Sequence, residues 1–193
     1  MHSLEPFYGW LELYDVEEDD KSPFYGVEHS QFEYKHKVYN YYIHPQWASI
    51  GSETLYAKLL FADYENGYAI MELIGEWNDC LLNDIMYLKR KIADKMFDHG
   101  IFKYVLCMDK VLNFHGLDSA YYEEWLEDLI EEDGWVACIE TQVHVLKEMQ
   151  KHSLGHYMHI GEELDTINWR KLKPKMLFQK LETIINKQRQ TLS

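Results

Sequence analysis

The chain has 193 residues, of which 47% are apolar and 27% charged, and a formal net charge of −14. These values describe a folded chain long enough to bury a core, as one large domain or one domain with a small appendage. The acidic balance argues against a nucleic-acid partner, because phosphate contacts need clustered Lys and Arg.

Residues 1–53 read as a β-rich extension of the sheet. Residues 8–16 and 34–43 have the aromatic and branched content of strands, separated by the polar turn 17–23, and 45–52 form a further loop. From residue 54 the order of elements is more regular, and 54–169 are expected to form an α/β core. Segments 54–62 (TLYAKLLFA) and 68–74 (YAIMELI) are short and apolar, and Asn66-Gly67 between them supplies the positive φ of a tight hairpin. After 75–79 (GEWND), the apolar residues Leu81, Leu82, Ile85, Met86, Leu88, Ile92, Met96 and Phe97 recur at helical spacing. Asn78 or Asp79 can cap that helix, and Gly100 can end it.

A buried strand is predicted over 104–108. An acidic helix follows from Asp118-Ser119 to about 133, with Tyr122, Trp125, Leu126, Leu129 and Ile130 as its apolar stripe. A strand over 135–139, a helix over 142–152 capped by Thr141, and a strand over 156–160 continue the alternation. Residues 170–193 are expected to be a basic C-terminal helix packed on the core through Met176, Leu177, Leu181, Ile184 and Ile185. The fold class expected is therefore α/β: a mixed, largely parallel sheet with an antiparallel N-terminal hairpin or extension, and helices packed on it.

The charge is segregated. Up to residue 169 there are 32 acids and 12 bases, whereas 170–193 hold seven bases and one acid, so the tail can meet an acidic surface. The longest apolar runs fall far short of the ~20 residues that span a bilayer. The first ten residues contain no Lys or Arg and lead into no signal-peptide core, so a cytoplasmic location with no membrane partner is expected. Cys80, Cys107 and Cys138 are odd in number and form no CxxC pair. They read as small buried side chains in a reducing compartment.

Candidate chemistry is sparse. His29, Glu33 and His36 share a face only if helical, and they lead into a predicted strand; His156 and His159 point to opposite faces of a strand. No metal and no cofactor is therefore expected. Asn113-Phe114-His115-Gly116, with Asp118 and Ser119, follows a strand at the edge where open α/β sheets bind ligands. His115 can be a general base, Asp118 its orienting partner and Ser119 a nucleophile or phosphoacceptor; equally, the segment is a glycine turn and a helix cap. Glu76 and Asp79 lie at the end of another strand, and there too the helix dipole is a sufficient reason for carboxylates.

The order of hairpin, Gly-Glu turn, helix, strand, Asp-Ser loop and acidic helix resembles the anti-anti-sigma factor (STAS) family over about residues 54–152. Gly75-Glu76-Trp77-Asn78-Asp79 is similar to the family's Gly-Glu-x-Asp-like turn. Asp109, followed by Asp118-Ser119, is similar to its Asp-Ser-Ser/Thr-Gly loop. Ala120-Tyr121 departs from the expected Ser/Thr-Gly, 109–118 is about one residue longer, and the first 53 and last 40 residues have no counterpart in the minimal domain. The chain also resembles a protein family of Bacteroidetes-type bacteria that implies no particular activity.

The STAS resemblance implies regulation through protein contacts, with Ser119 as a phosphorylation switch. The residues themselves favour Ser119 as a helix cap, since Asp118, Glu123 and Glu124 oppose a dianion and no Lys or Arg lies between Lys110 and Lys147. The function expected is a non-enzymatic regulatory or interaction protein with a protein partner or a second copy of itself. The alternative is a small-molecule binding protein or hydrolase using a crevice near Glu76, His115 and Ser119. The candidate functional loop comprises Glu76, Asp79, Asp109, His115, Asp118 and Ser119.

Overall fold

The computed structural model describes residues 2–192 apart from 28, 31, 35 and 118. A five-stranded mixed sheet organises the fold, in the order β4 (Ala48–Ser49), β5 (Leu55–Asp63), β6 (Tyr68–Asn78), β7 (Lys103–His115) and β8 (Trp135–Ile139). The β4–β5 and β5–β6 pairs are antiparallel, and β6–β7 and β7–β8 are parallel. The expected hairpin closes through Gly67 at φ 69°, and the Asp63 carboxylate accepts the amides of Glu65 and Asn66 at 3.1 and 2.9 Å.

One sheet face carries Leu59, Met71, Leu73 and Leu106. Against it pack α1 (Asp84–Leu88), a π-turn (Lys89–Ala93), α2 (Asp94–Phe97), α3 (Ala120–Ile130) and α4 (Val143–Lys151), through residues such as Ile85, Ile92, Trp125 and Met149. The opposite face carries Ile70, Val105, Cys107 and Ala137, covered by α5 (Pro174–Leu192) through Leu177, Leu181, Ile184 and Ile185. The helical periodicity of α5 is as read, except that Met176 faces solvent. Because α5 and α3 lie on opposite faces, the basic tail does not dock along the acidic helix. Among the described residues, Arg189 instead pairs with Asp133, beyond the end of α3.

Several sequence expectations are corrected. Strands β6 and β7 run to Asn78 and His115, so Glu76, Trp77, Asn78, Asn113 and His115 are strand residues, not turn or loop, and Asp109, read at the end of its strand, lies within it. The polar residues of those extensions find partners across the strands, which lets pairing continue past the apolar runs. The predicted strand over 156–160 is reduced to one bridge between Ala137 and His159, because a 3-10 turn, Leu154–His156, uses up its start.

Residues 8–16 are turns, with Leu13 N donating to Trp10 O at 2.8 Å; Trp10 is buried, but Leu11 and Leu13 are exposed, so the pattern is not that of a pleated face. The single strand expected over 34–43 is instead β2 (Lys37–Val38) and β3 (Tyr41–Ile43), antiparallel neighbours around Tyr39 at φ 50°. With β1 (His2–Leu4) they form a separate three-stranded sheet. Within the expected loop 45–52, β4 adds an edge to the main sheet. Cys107 and Cys138 are buried, whereas Cys80 is exposed. Among the described residues no helix is long and apolar enough to cross a membrane.

Gly75 in β6 lies against the start of β5, with a φ of +118° and a position where a Cβ would stand 1.9 Å from the Thr54 carbonyl oxygen. Both features require glycine. Gly75→Ala is expected to lower stability by more than about 3 kcal/mol or to prevent folding, because backbone must move on one side or the other. Urea unfolding of the variant with an unchanged midpoint would contradict this packing.

Candidate functional site

Parallel strands β6 and β7 end in register, Asn78 opposite His115, so both chains leave the sheet at the same edge. Immediately beyond it, Asp79 is buried and its carboxylate is a hub. Oδ1 accepts Trp77 Nε1 at 3.0 Å and the Ile85 amide at 2.9 Å, and Oδ2 accepts the Tyr122 hydroxyl at 2.5 Å. One side chain thus ties the end of β6 to the first turn of α1 and to α3. Burial pushes the Asp79 pKa up to about 6; the donors from Tyr122, Ile85 and Trp77 oppose the shift without cancelling it. Asp79 does help to start the first helix, as the sequence suggests, although the formal N-cap is Asn83, in the left-handed region and without a side-chain cap bond.

Two clefts flank Leu117 at this edge. One, of about 510 Å³, lies among Gly116, Ser119, Tyr122, His152, Leu154 and Tyr157. The other, of about 270 Å³, lies among Asp79, Cys80, Leu81, Asn83, Ala120 and Tyr121. Ser119 occupies the N-cap position of α3, but its hydroxyl makes no cap bond; it donates to Glu123 Oε1 at 3.0 Å, the same oxygen that accepts Tyr157 OH at 3.0 Å. The capping expectation is corrected for Ser119, whose backbone sits at φ −88° and ψ −11°, already helical rather than extended. Thr141 likewise does not cap α4, where Gln142 holds that position.

The six candidate residues are not all brought together. Asp79 and Ser119 line the two adjoining clefts, and Asp118 lies outside the described residues. His115 is exposed at the strand end, where its carbonyl accepts the amides of Asp79 and Cys80 at 2.9 and 3.2 Å. Glu76 points to the sheet face opposite Trp77 and accepts from Tyr39 OH and from Asn113 Nδ2. Asp109 lies in mid-strand and pairs with Arg170 at 2.9 Å.

That last contact belongs to an ionic cluster missed in the sequence. Glu72 is completely buried, and its Oε1 accepts Lys110 Nζ at 2.9 Å and Arg170 Nη2 at 3.0 Å. Arg170 also reaches Glu140 at 3.3 Å and stacks on Trp169. Lys58, opposite Glu72 in register, donates to Gln46 Oε1 at 2.6 Å. Burial lowers the Lys58 pKa to about 8, with Glu72 acting in the other direction and Lys110 adding to the lowering. Three acids balance three bases, as in a structural network. The available signal was Glu72 itself, one acid inside the apolar run YAIMELI. Among the described residues, no group of three or more His, Cys, Asp or Glu is arranged to hold a metal ion.

No protein-family model matches the chain, and no curated protein matches it. Among solved structures, the anti-sigma factor antagonist SpoIIAA in its unphosphorylated form is similar with a TM-score of 0.42 and 18% identity, over 58% of this chain and 93% of that one. The Bacillus cell fate determinant SpoIIAA in the phosphorylated form gives 0.38 and 17%, over 58% and 96%.

The raised Asp79 pKa has a definite sign. A carboxyl whose folded pKa lies above its unfolded value contributes stability that is fully present below the unfolded value, near 4, and lost as pH rises through about 6. Between pH 4 and pH 7 Asp79 is expected to withdraw on the order of 2 to 3 kcal/mol. Asp79→Asn should flatten the fall in stability with pH over that window; parallel stability curves for the variant and the parent would refute the assignment. Ser119→Ala, which removes a hydroxyl whose partner among the described residues is an exposed carboxylate, should change stability by less than about 0.5 kcal/mol, measured by denaturant unfolding.

Proposed function

We propose that this is a non-enzymatic regulatory protein that acts by binding a protein partner through the edge where β6 and β7 end. The observation that carries this reading is the pair Leu81 and Leu117, 84% and 67% exposed, which stand on the walls of one cleft. Two large apolar side chains that flank a concavity, with polar residues around them, have the anatomy of an interface core before it is covered. Glu127, Glu131 and Glu132 are exposed toward and just beyond the far end of α3, so a partner that carries an apolar anchor for the cleft and follows the helix would meet them with basic residues.

The hydrogen bonding at this edge supports binding over catalysis. Asp79 is enclosed by three donors, and the Ser119 hydroxyl is spent on Glu123. A small-molecule or hydrolase reading draws on the 510 Å³ cleft with His152 and Tyr157, but neither Glu76 nor His115 lines it.

The test is quantitative cross-linked capture from a native lysate by the parent and by Leu81→Asp/Leu117→Asp. A basic partner recovered with the parent should fall by at least about tenfold with the variant, the loss expected when central anchors are removed. Because both leucines are exposed, the melting temperature should hold. Equal recovery by the two proteins would sink the proposal.

A further inference from the structure

The helical segment 84–97 carries four basic residues from 89 to 95, and the structure divides them. Lys89 is almost fully buried and reaches Asp94, Glu124 and Asp128 at 2.7, 3.2 and 2.6 Å, and Arg90 pairs with Asp94 and Glu124. Lys91 and Lys95 are exposed and line a groove of about 560 Å³ whose other wall includes Phe24, Val27, Pro45 and Gly51. Among the described residues neither lysine has a hydrogen bond or ion pair. The two are one turn apart, and like charges at that spacing disfavour a helix. His29 and His36 face the same groove, and none of its described lining residues is acidic. In a chain with 33 acids to 19 Lys and Arg, a concavity whose described lining holds two lysines, two histidines and no acid is a local reversal of sign.

We propose that this groove binds a small organic phosphate, with the phosphate held between Lys91 and Lys95 and its apolar body against Phe24, Val27 and the neighbouring prolines. The volume suits a ligand of that size. Two lysines present ammonium donors to a dianion with three acceptor oxygens, and the histidines add ring nitrogens nearby. The π-turn Lys89–Ala93 forms the adjoining wall, and such turns recur at functional sites because they re-aim side chains out of helical phase. The site uses none of the residues assigned to protein docking, so the two proposals stand or fall separately.

Isothermal titration of the full chain with phenyl phosphate and, separately, with inorganic phosphate tests the assignment. Phenyl phosphate should bind once per chain with Kd below about 1 mM, at least about tenfold tighter than inorganic phosphate. Lys91→Gln/Lys95→Gln should weaken it by at least about tenfold, with each single substitution giving a smaller loss, and Lys175→Gln on the exposed face of α5 should leave it unchanged. Melting curves establish that the variants remain folded. Failure to saturate, equal affinity for the two probes, or binding indifferent to the lysine substitutions would each overturn the proposal.

Discussion

Glu72 sits at the centre of β6 with no solvent exposure, and a carboxylate in that position must be met by cations or it opposes the fold. Lys110 comes from the neighbouring strand. Arg170 comes from the 3-10 turn Trp169–Lys171, just ahead of α5. By reaching Asp109 and Glu140 as well, Arg170 joins β6, β7 and the end of β8 through one guanidinium whose planar donors suit several carboxylates at once. The place where the C-terminal segment crosses the sheet is thereby fixed, and Leu164, Ile167 and Trp169 fill the space beside it. Among the described residues Glu72 Oε2 has no partner, so the network retains part of its desolvation cost. Its value lies in position more than in net stability.

Asp79 has the corresponding role on the other side. Both acids belong to β6 or its immediate exit, one for each face of the sheet. Glu72 is satisfied by charge, whereas Asp79 is satisfied by an indole, an amide and a hydroxyl and is left with a raised pKa. The difference follows from their surroundings: cations can reach Glu72 from the polar stretch of β7, while Asp79 is covered by Trp77 and Tyr122. The proposed docking edge therefore rests on a hydrogen-bonded support, since Leu81 and Leu117 project from chain segments anchored by Asp79 and by the His115 carbonyl. Anchors held in place before binding lose less freedom when a partner arrives.

The apolar periodicities were enough to locate the elements of the core. Segments such as YAIMELI and most of the α3 stripe, Tyr122, Trp125 and Leu129, fold as read, although Ile130, read into the same stripe, is exposed; burial of the apolar face is the dominant energy and its period is specific. What could not be read was where a strand stops when polar residues continue it. Asn113 and Glu76 looked like loop chemistry, and Asp109 like a strand end, because their partners, Tyr39 and Arg170, lie 37 to 74 positions away in the chain. For the same reason Asp79 and Ser119 could be placed at one edge from sequence order, but Glu76 could not be assigned to the opposite face. The N-terminal region misled through composition: its aromatics suggest strands, yet residues 8–16 fold as turns that bring Trp10 over the sheet, where its Nε1 donates to the Leu172 carbonyl.

The net charge of −14 is not a uniform field, and its distribution bears on how a partner is recognised. On α3, Glu124 and Asp128 are answered by Lys89 and Arg90, Glu123 accepts from Ser119 and Tyr157, and Asp133 beyond the helix end meets Arg189. Among the described residues of α3 and the turn beyond it, Glu127, Glu131 and Glu132 are left with no such pairing. Exposed pairs of that kind contribute up to about 1 kcal/mol each and are screened within about 8 Å at physiological ionic strength. Desolvating the two leucines depends little on salt. Association at this edge should then divide cleanly: the distal acids of α3 set the encounter rate and its sensitivity to ionic strength, and Leu81 with Leu117 sets how long the complex lasts.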